Sequence, residues 1–124
     1  MIVGTGLDLI EIGRIARLVH NEKFVSRILT ASEKAVFDGL AKDRRRAEFL
    51  AGRFAAKEAY AKARGTGIGA ELSWQDIEIL SDAAGRPRLK ERRPTQDIIH
   101  LTITHAKDYA AAVVVIESLS GSGA

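Results

Sequence analysis

Apolar residues occupy nearly every position of the first segment, residues 2–12, which predicts a β-strand. A period of two places Gly6 and Asp8 on one face of this strand and Leu7 and Leu9 on the other. Because both faces are largely apolar, we expect either a strand that is covered on both sides or a strand that forms half of an intimate interface.

Helical spacing follows the first strand. Ile15, Leu18 and Val19 recur at helical intervals within residues 14–21, and a short apolar turn follows at residues 24–29. These two segments predict short helical elements between the first strand and the longer helices.

Two longer helices carry clear start and stop signals. Thr30 and Glu33 provide an N-terminal cap and an acidic first turn for a helix that reaches about Leu40. A long alanine-rich helix is predicted over residues 45–64. It ends at Gly65, because glycine readily adopts the left-handed conformation that closes helices.

Strand and turn signals alternate in the second half of the chain. Strand-like residues 77–80 follow a glycine-rich loop, and a turn at Gly85 leads into a short strand near Pro87. Residues 98–104 and 109–116 are predicted strands joined by a turn. A strand, then helices, then several strands indicate the α+β class, with an antiparallel sheet packed against a long helix.

The composition is that of an ordinary globular protein. Of the 124 residues 46% are hydrophobic and 28% charged, so we expect one domain over residues 1–117 and a flexible tail over residues 118–124. The absence of cysteine excludes disulfides, zinc–thiolate sites and thiol catalysis. No segment approaches the ~20 apolar residues of a membrane helix, and the N-terminus lacks a basic leader. We therefore expect a cytoplasmic protein with no membrane partner.

The net charge of +3 leaves two classes of anionic partner open. One class is a substrate or protein that carries phosphates or carboxylates. The other is a nucleic acid, which the basic runs KDRRR at residues 42–46 and KERR at residues 90–93 would contact. Nucleic-acid-binding modules usually interleave aromatic and basic side chains, but here aromatics are only 6% of the chain and lie mostly at core spacing. We therefore expect no nucleic-acid partner.

Glu58 is out of place in the long helix. It shares one helical stripe with Ala51, Phe54, Ala61 and Gly65, which are small or apolar. A carboxylate in such surroundings must be paired or bound to a metal, because an isolated buried charge is very unfavourable. A salt bridge to Lys62, one turn further on, is the structural alternative.

Asp8 repeats this anomaly on the first strand, where aspartate is a poor strand former. Backbone N–H groups at a strand end or bulge would satisfy it in the structural alternative. Taken together, Asp8 and Glu58 suggest oxygen ligands for Mg²⁺, which is usually held by one or two carboxylates plus substrate phosphates.

The glycine-rich segments do not match known phosphate-binding loops. GTGLDL lacks the third glycine of a dinucleotide fingerprint, and GTGIG is not followed by the Lys-Ser/Thr of a P-loop. A phosphate near Gly65 would need cations, because the helix dipole repels anions there, and Lys62 and Arg64 are placed to supply them. His105 ends a predicted strand, a position more typical of a turn residue than of a catalyst, and His100 is expected to be structural.

Three segments together resemble the bacterial holo-[acyl-carrier-protein] synthase family. They are GLDLIEIGRI at the start, FLAGRFAAKEAYAKARGTGIG in the middle and ITHAKDYAAAVVVIE at the end. ILTASE and LSWQDIEIL are also similar to that family, so the resemblance covers most of residues 1–117. It implies the 4′-phosphopantetheinyl transferase fold and a small trimeric enzyme of fatty acid biosynthesis.

The resemblance implies transfer of 4′-phosphopantetheine from coenzyme A to a serine of apo acyl carrier protein, with release of adenosine 3′,5′-bisphosphate. Asp8 and Glu58 match the magnesium ligands of the family. Lys62 matches a position that steadies the phosphates, and His105 is the remaining catalytic candidate. Three candidates stay open for the general base: a water on the metal, which we favour, Glu58 and His105. The residues expected to hold the coenzyme are Lys62, Gly65, Gly67, Thr104 and His105.

An acidic carrier protein needs a complementary basic face. Arg14 and Arg27, together with Phe24 and Ile28, are predicted to form a basic helical surface with an apolar centre. Arg17 fits this surface or an ordinary solvated helical face equally well. The family also implies a homotrimer with sites at the subunit boundaries, where Asp8 and Glu58 of one subunit meet His105 of another.

Two further alternatives keep the same fold. The chain resembles the final domain of some fatty acid synthases, although its length and tail favour a free-standing enzyme. A trimeric scaffold without activity is less consistent, because Asp8, Glu58 and Lys62 would then have no role.

Overall fold

The computed structural model describes residues 1–93 and 95–119. Within them five strands and four α-helices follow one another in the order strand, four helices, four strands, with a short 3₁₀ turn at Trp74–Asp76 before the second strand. The elements are β1 (Ile2–Glu11), α1 (Ile12–Ala16), α2 (Glu22–Ile28), α3 (Ala31–Asp38), α4 (Asp43–Arg64), β2 (Ile77–Ser81), β3 (Pro87–Glu91), β4 (Ile98–His105) and β5 (Tyr109–Glu117).

The strands form two antiparallel sheets. β1, β5 and β4 lie side by side in that order, and β2 pairs with β3 in a separate hairpin. Asp8 lies opposite Ala112, and Ala112 lies opposite Ile103 on the other side of β5. The predicted α+β class with an antiparallel sheet and a long helix is confirmed.

Helix α4 packs against the three-stranded sheet at very short range. Ala51, Ala55, Ala59 and other small side chains of α4 are fully buried. β1 crosses this surface at Gly6, where an added Cβ would lie 1.8 Å from the carbonyl oxygen of Ala59. At Gly4 the same measurement to Ala63 gives 2.1 Å. Alanines on the helix and glycines on the strand therefore let the two backbones touch.

The predicted helix signals act as expected. Thr30 and Glu33 form a reciprocal capping box at the start of α3. α4 ends at Gly65, whose φ of 82° is the left-handed conformation. α4 begins at Asp43, two residues before the predicted start, because the charged residues 43–46 are helical.

A buried ion pair that the sequence reading missed connects several elements. The Lys57 ammonium lies 2.7 Å from the Glu33 carboxylate, and both side chains are fully buried. Glu33 also accepts hydrogen bonds from the backbone N–H groups of Thr30 and Ile79. Because every partner is satisfied, this pair ties α3 and β2 to α4 without leaving a charge uncompensated.

The outer face of the three-stranded sheet is apolar and uncovered in the single chain. Leu7 and Leu9 are 61% and 62% exposed, and Tyr109 and Val113 on β5 are also exposed. The prediction that β1 is covered on both sides is therefore wrong for one chain, because only the face towards α4 is buried. The alternative, half of an interface, is compatible with this exposed face.

The described residues contain no helix that is long and apolar enough to cross a membrane. The backbone of Ser118 bonds to that of Met1, so strand pairing continues one residue into the predicted tail. Residues 120–124 of that tail lie outside the described residues.

We predict that Gly6→Ala lowers the free energy of unfolding by about 3 kcal/mol, the upper end of the usual effect of overpacking. The added methyl group would collide with the backbone carbonyl of Ala59, which cannot move without shifting α4. Chemical denaturation followed by circular dichroism measures the change.

Gly13→Ala is the matched control, since an added Cβ at Gly13 has nothing within 4 Å. Its unfolding free energy is expected to change by less than about 1 kcal/mol. Equal stabilities for the two variants would contradict the proposed close contact.

Candidate active site

The two carboxylates singled out from the sequence lie together where β1 crosses α4. Asp8 follows Gly6 by two residues and therefore projects from the same face of β1, towards the helix. Glu58 precedes Ala59, the residue that Gly6 contacts. The pKa of Glu58 is raised, first by partial burial and then by the nearby charge of Asp8.

Lys62 binds Asp8 rather than Glu58. Its ammonium donates to the Asp8 carboxylate at 3.1 Å and to the carbonyl of Leu7 at 3.0 Å. The alternative of a Glu58–Lys62 salt bridge is therefore wrong, although the lysine charge still lowers the pKa of Glu58 slightly against the two larger effects. Among the described residues, the Glu58 carboxylate has no hydrogen-bond or ion-pair partner.

The structural alternative for Asp8 is also wrong. Asp8 lies in the middle of β1, opposite Ala112, and the irregularity in this strand lies at its start, between Ile2 and Gly4. Its side chain bonds to the Lys62 ammonium instead of to backbone N–H groups. Only 17% of this side chain is exposed, so it faces α4 rather than bulk water.

The donor set at this point suits Mg²⁺ only if a substrate contributes further ligands. No group of three or more His, Asp or Glu residues suited to a metal occurs among the described residues. Two adjacent carboxylates, one of them unpartnered, match the way Mg²⁺ is held by one or two carboxylates plus phosphates and water. Asp8 and Glu58 therefore fit this ion. We call Asp8, Glu58 and Lys62 the carboxylate site.

The glycine loop continues from the end of α4 next to the carboxylate site. Gly65 and Gly67 have positive φ values of 82° and 66°, so side chains are disfavoured there and the backbone stays accessible. Arg64 does not point into this loop. Its guanidinium donates to Tyr60 Oη at 2.8 Å and to Asp97 at 2.9 Å, so the expectation that it supplies a phosphate-binding cation is wrong.

His105 lies in a different place, at a cleft of about 540 Å³ beside the first half of α4. Its ring is 3.7 Å from Glu48, which also contacts Arg45 at 3.7 Å. Arg53 and Gly52 line the same cleft. We call this region, with Arg45, Glu48, Arg53 and His105, the basic cleft.

Arg53 carries an unsatisfied donor in the basic cleft. Its Nε is buried and has no hydrogen-bond partner among the described residues. The guanidinium lies 4.2 Å above the Phe49 ring, and burial lowers its pKa. Buried donors are rarely left unpaired, so this atom is available to an acceptor such as a water molecule or a ligand group. Arg45, Phe49 and Arg53 follow one another at intervals of four residues, which places them on one face of a helix. This spacing is visible in the sequence.

The single chain separates residues that the sequence reading grouped together. Glu48, the contact of His105, lies ten residues before Glu58 on α4, about 15 Å along the helix axis. Thr104 and His105 are consecutive in β4 and therefore project to opposite faces of the sheet. Within one chain His105 cannot reach the carboxylate site, and Thr104 cannot line the basic cleft with its side chain.

Most of the predicted docking residues reach the surface of the chain. Arg14 and Arg27 are exposed, on α1 and α2 respectively, and Arg17 is exposed at the C-terminal cap of α1. Phe24 is half-buried and stacks on Phe54, with ring centroids 6.3 Å apart.

Ile28 is 1% exposed, so the prediction that it contacts a partner is wrong. Its apolar side chain fills the core below α2, because it follows Val25 by three residues on the buried side of the helix. Two short helices, α1 and α2, carry the basic side chains of the predicted surface.

Residues 4–114 match the 4′-phosphopantetheinyl transferase superfamily. The chain is 58% identical to the holo-[acyl-carrier-protein] synthase of Geobacillus kaustophilus over 120 residues, covering 96% of this chain and 92% of that protein. The chain belongs to the holo-[acyl-carrier-protein] synthase family. The enzyme of the same name from Bacillus pumilus is 52% identical over 97% of this chain and 99% of its own length.

Solved structures of the family have the same fold. The holo-(acyl-carrier-protein) synthase of Bacillus anthracis, in complex with CoA (3′,5′-ADP), superposes with a TM-score of 0.87 at 52% identity, covering 95% of this chain and 98% of that chain. The Helicobacter pylori holo-[acyl-carrier-protein] synthase in complex with coenzyme A gives a TM-score of 0.79 at 32% identity, covering 91% and 99%. The predicted 4′-phosphopantetheinyl transferase fold is thereby confirmed.

We predict that Asp8→Asn lowers the pKa of Glu58. Removing the Asp8 charge removes the second cause of the upward shift, while burial, the larger cause, keeps the pKa above its ordinary value. The pKa of Glu58 in the folded state exceeds its pKa in the unfolded chain. The contribution of Glu58 to the free energy of unfolding therefore falls as pH rises from the unfolded-state pKa to the folded-state pKa. Carboxyl ¹³C NMR titration measures the pKa.

Asp38→Asn is the matched control, because Asp38 lies on α3 and pairs with Lys34. It is expected to leave the pKa of Glu58 unchanged. An unchanged Glu58 pKa in Asp8→Asn would show that the two carboxylates do not interact.

Proposed function

We propose that this chain transfers 4′-phosphopantetheine from coenzyme A to a serine hydroxyl of apo acyl carrier protein and releases adenosine 3′,5′-bisphosphate. The observation that carries this proposal is the adjacent pair Asp8 and Glu58 with Lys62 beside it. This arrangement occurs in a chain that is 58% and 52% identical to two holo-[acyl-carrier-protein] synthases. Family membership supports the class of reaction. The geometry of the carboxylate site supports the proposal that the reaction occurs there.

In this reaction the serine oxygen forms a bond to the β-phosphorus of coenzyme A. The bond from that phosphorus to the bridging oxygen breaks, and the electron pair leaves with adenosine 3′,5′-bisphosphate. Asp8 and Glu58 would hold Mg²⁺, which supplies charge stabilisation to the diphosphate when bound. The side chain of Lys62 is 51% exposed and its ammonium lies beside Asp8, so the ammonium is accessible to a substrate at the carboxylate site. Its positive charge stabilises the negative charge that develops on the leaving oxygen.

Glu58 is suited to accept a proton. Its pKa is raised by burial and by Asp8, so its carboxylate is a stronger base than an ordinary glutamate until a cation is present. His105 of the same chain is excluded as the base, because it lies beside Glu48, about 15 Å along α4 from Glu58. The serine proton therefore passes to a group at the carboxylate site or to a histidine of another subunit.

Coenzyme A carries phosphates at two places, and the chain offers two separate sites for them. The carboxylate site suits the diphosphate, and the glycine loop at Gly65 and Gly67 leaves the backbone open beside it. The basic cleft suits the second anionic group, because Arg45, Arg53 and His105 line it and Arg53 Nε lacks an acceptor. Since these sites lie apart in one chain, we infer that one coenzyme bridges two subunits.

The family resemblance implies a homotrimer, which would contain three such composite sites. The apolar outer face of β1 and β5 supports it, because Leu7, Leu9 and Val113 are exposed on an otherwise ordinary surface. A head-to-tail contact repeated around a three-fold axis would cover this face and bring the carboxylate site of one subunit to the basic cleft of the next. Thr104 projects to the same outer face, so it would contact coenzyme from the subunit boundary.

The acidic carrier protein would dock beside the carboxylate site. Arg14 and Arg27 provide the exposed cations, and Phe24 provides an apolar contact. Phe24 stacks on Phe54, which lies one turn before Glu58 on α4, so a serine presented at this surface arrives close to the carboxylates. A role in fatty acid biosynthesis and a cytoplasmic location stay predictions.

Incubation with coenzyme A, MgCl₂ and apo acyl carrier protein tests the proposed function. We expect the intact mass of the carrier protein to increase by one phosphopantetheine group. Asp8→Asn and Glu58→Gln are expected to reduce the rate at least about 1,000-fold, because each removes charge that stabilises the transition state. Asp38→Asn serves as the control. Full activity in both site variants would defeat the assignment of the carboxylate site.

Mixing two inactive variants tests the composite site. One variant carries Asp8→Asn, and the other combines Arg53→Ala with His105→Ala. Random assembly would place an intact carboxylate site against an intact basic cleft at about one quarter of the boundaries, so about a quarter of the normal activity should return. Activity that stays absent after the subunits have exchanged would contradict sharing of the site between subunits.

A further inference from the structure

Helix α2 has an unusual C-terminus. It is only seven residues long, Glu22–Ile28, and a helix of this length is marginal by itself. The residue that caps it, Leu29, has extended backbone angles, and no glycine closes the helix. The last carbonyl groups of α2 therefore have no partners within the helix and need donors from elsewhere.

Two side chains from other elements supply all of these donors. The amide nitrogen of Gln75 lies 2.9 Å from the carbonyl oxygen of Ser26, 3.2 Å from that of Arg27 and 2.9 Å from that of Leu29, so its two N–H groups are shared among three acceptors. The ammonium of Lys57 donates to the remaining carbonyl, that of Ile28, at 2.7 Å. Four consecutive carbonyl groups are thus held by only two residues.

These two side chains connect α2 to the part of the fold that carries the carboxylate site. Lys57 also donates to the carbonyl of Trp74 at 3.0 Å, next to Gln75 in the chain. Lys57 is the residue before Glu58 on α4, so α2, the 3₁₀ turn and the turn of α4 that carries Glu58 are fixed to one another. α2 itself carries Phe24 and Arg27, two residues of the docking surface.

We propose that Gln75 and Lys57 form a latch that fixes α2 relative to Glu58, and that Gln75 is thereby a positioning residue for the carrier protein. This proposal rests on the proposed function, because it concerns how the carrier serine is brought to the carboxylate site. Gln75 is itself exposed and is not part of the docking face. It acts through α2, and coenzyme A, bound at the other two sites, does not depend on it.

The variant that tests the latch is Gln75→Met, which keeps the length of the side chain and removes its N–H donors. Gln96→Met is the matched control, since Gln96 is the other glutamine in the chain and is also exposed. Lys57 is unsuitable for substitution, because its loss would leave the buried Glu33 carboxylate unpaired.

Steady-state kinetics provide the first measurement. We expect Gln75→Met to raise KM for the carrier protein about five- to tenfold, which corresponds to the loss of roughly one net hydrogen bond to the backbone carbonyl groups of α2. KM for coenzyme A should stay unchanged. Gln96→Met should change neither value. An equal rise in both KM values, or no rise in either, would overturn the positioning role.

Amide hydrogen exchange without substrates provides the second measurement, so it does not depend on the transferase reaction. We expect exchange in α2 to accelerate at least about tenfold in Gln75→Met, while exchange in α4 stays unchanged. Gln75→Lys keeps N–H donors and should restore slow exchange in α2. Unchanged exchange in Gln75→Met would overturn the latch. If the unmodified protein transferred no phosphopantetheine, the proposed function would be overturned instead. Hydrogen exchange in α2 would then be the measurement that shows whether the latch exists.

Discussion

The contact between the backbones of β1 and α4 is the constraint on which the candidate site depends. Gly6 reaches the carbonyl group of Ala59 at a distance that no residue with a side chain would permit. This contact sets the height of Asp8 above the helix and therefore brings its carboxylate next to Glu58. The tight approach has a cost in electrostatic free energy, since two acidic groups are held together beside the single positive charge of Lys62. A divalent cation bound with a diphosphate would offset that repulsion.

Charged residues of α4 differ in whether the fold itself satisfies them. Lys57 and Glu33 are fully buried, yet every donor and acceptor between them has a partner, so the pair is complete without a ligand. Glu58, the next residue along, has a raised pKa and no partner among the described residues. Arg53 likewise keeps a buried donor unpaired in the basic cleft. Under the proposed function, these two unsatisfied groups are the places where substrate would bind.

Sequence reasoning found the strands, the long helix and the carboxylate site because each has a local signal. Thr30 with Glu33 predicted the start of α3, and Gly65 predicted the end of α4, since caps depend on a few adjacent residues. It missed the burial of Lys57, because residues 57 and 58 are adjacent in sequence but project about 100° apart on the helix. It placed Ile28 on the docking surface for the same reason. Only packing against neighbouring elements shows which side of a short helix faces the core.

The sequence by itself determined the α+β class, the family and the identity of the two carboxylates. Periodicity, capping residues and motif spacing are properties of neighbouring positions in the chain. The tertiary structure decided that Asp8 pairs with Lys62, that Arg64 is held by Tyr60 and Asp97, and that His105 lies beside Glu48. Glu48 is about 15 Å along α4 from Glu58. These facts depend on which segments of the chain pack together. A side chain with several possible partners is assigned to one of them only when long-range packing fixes the distances.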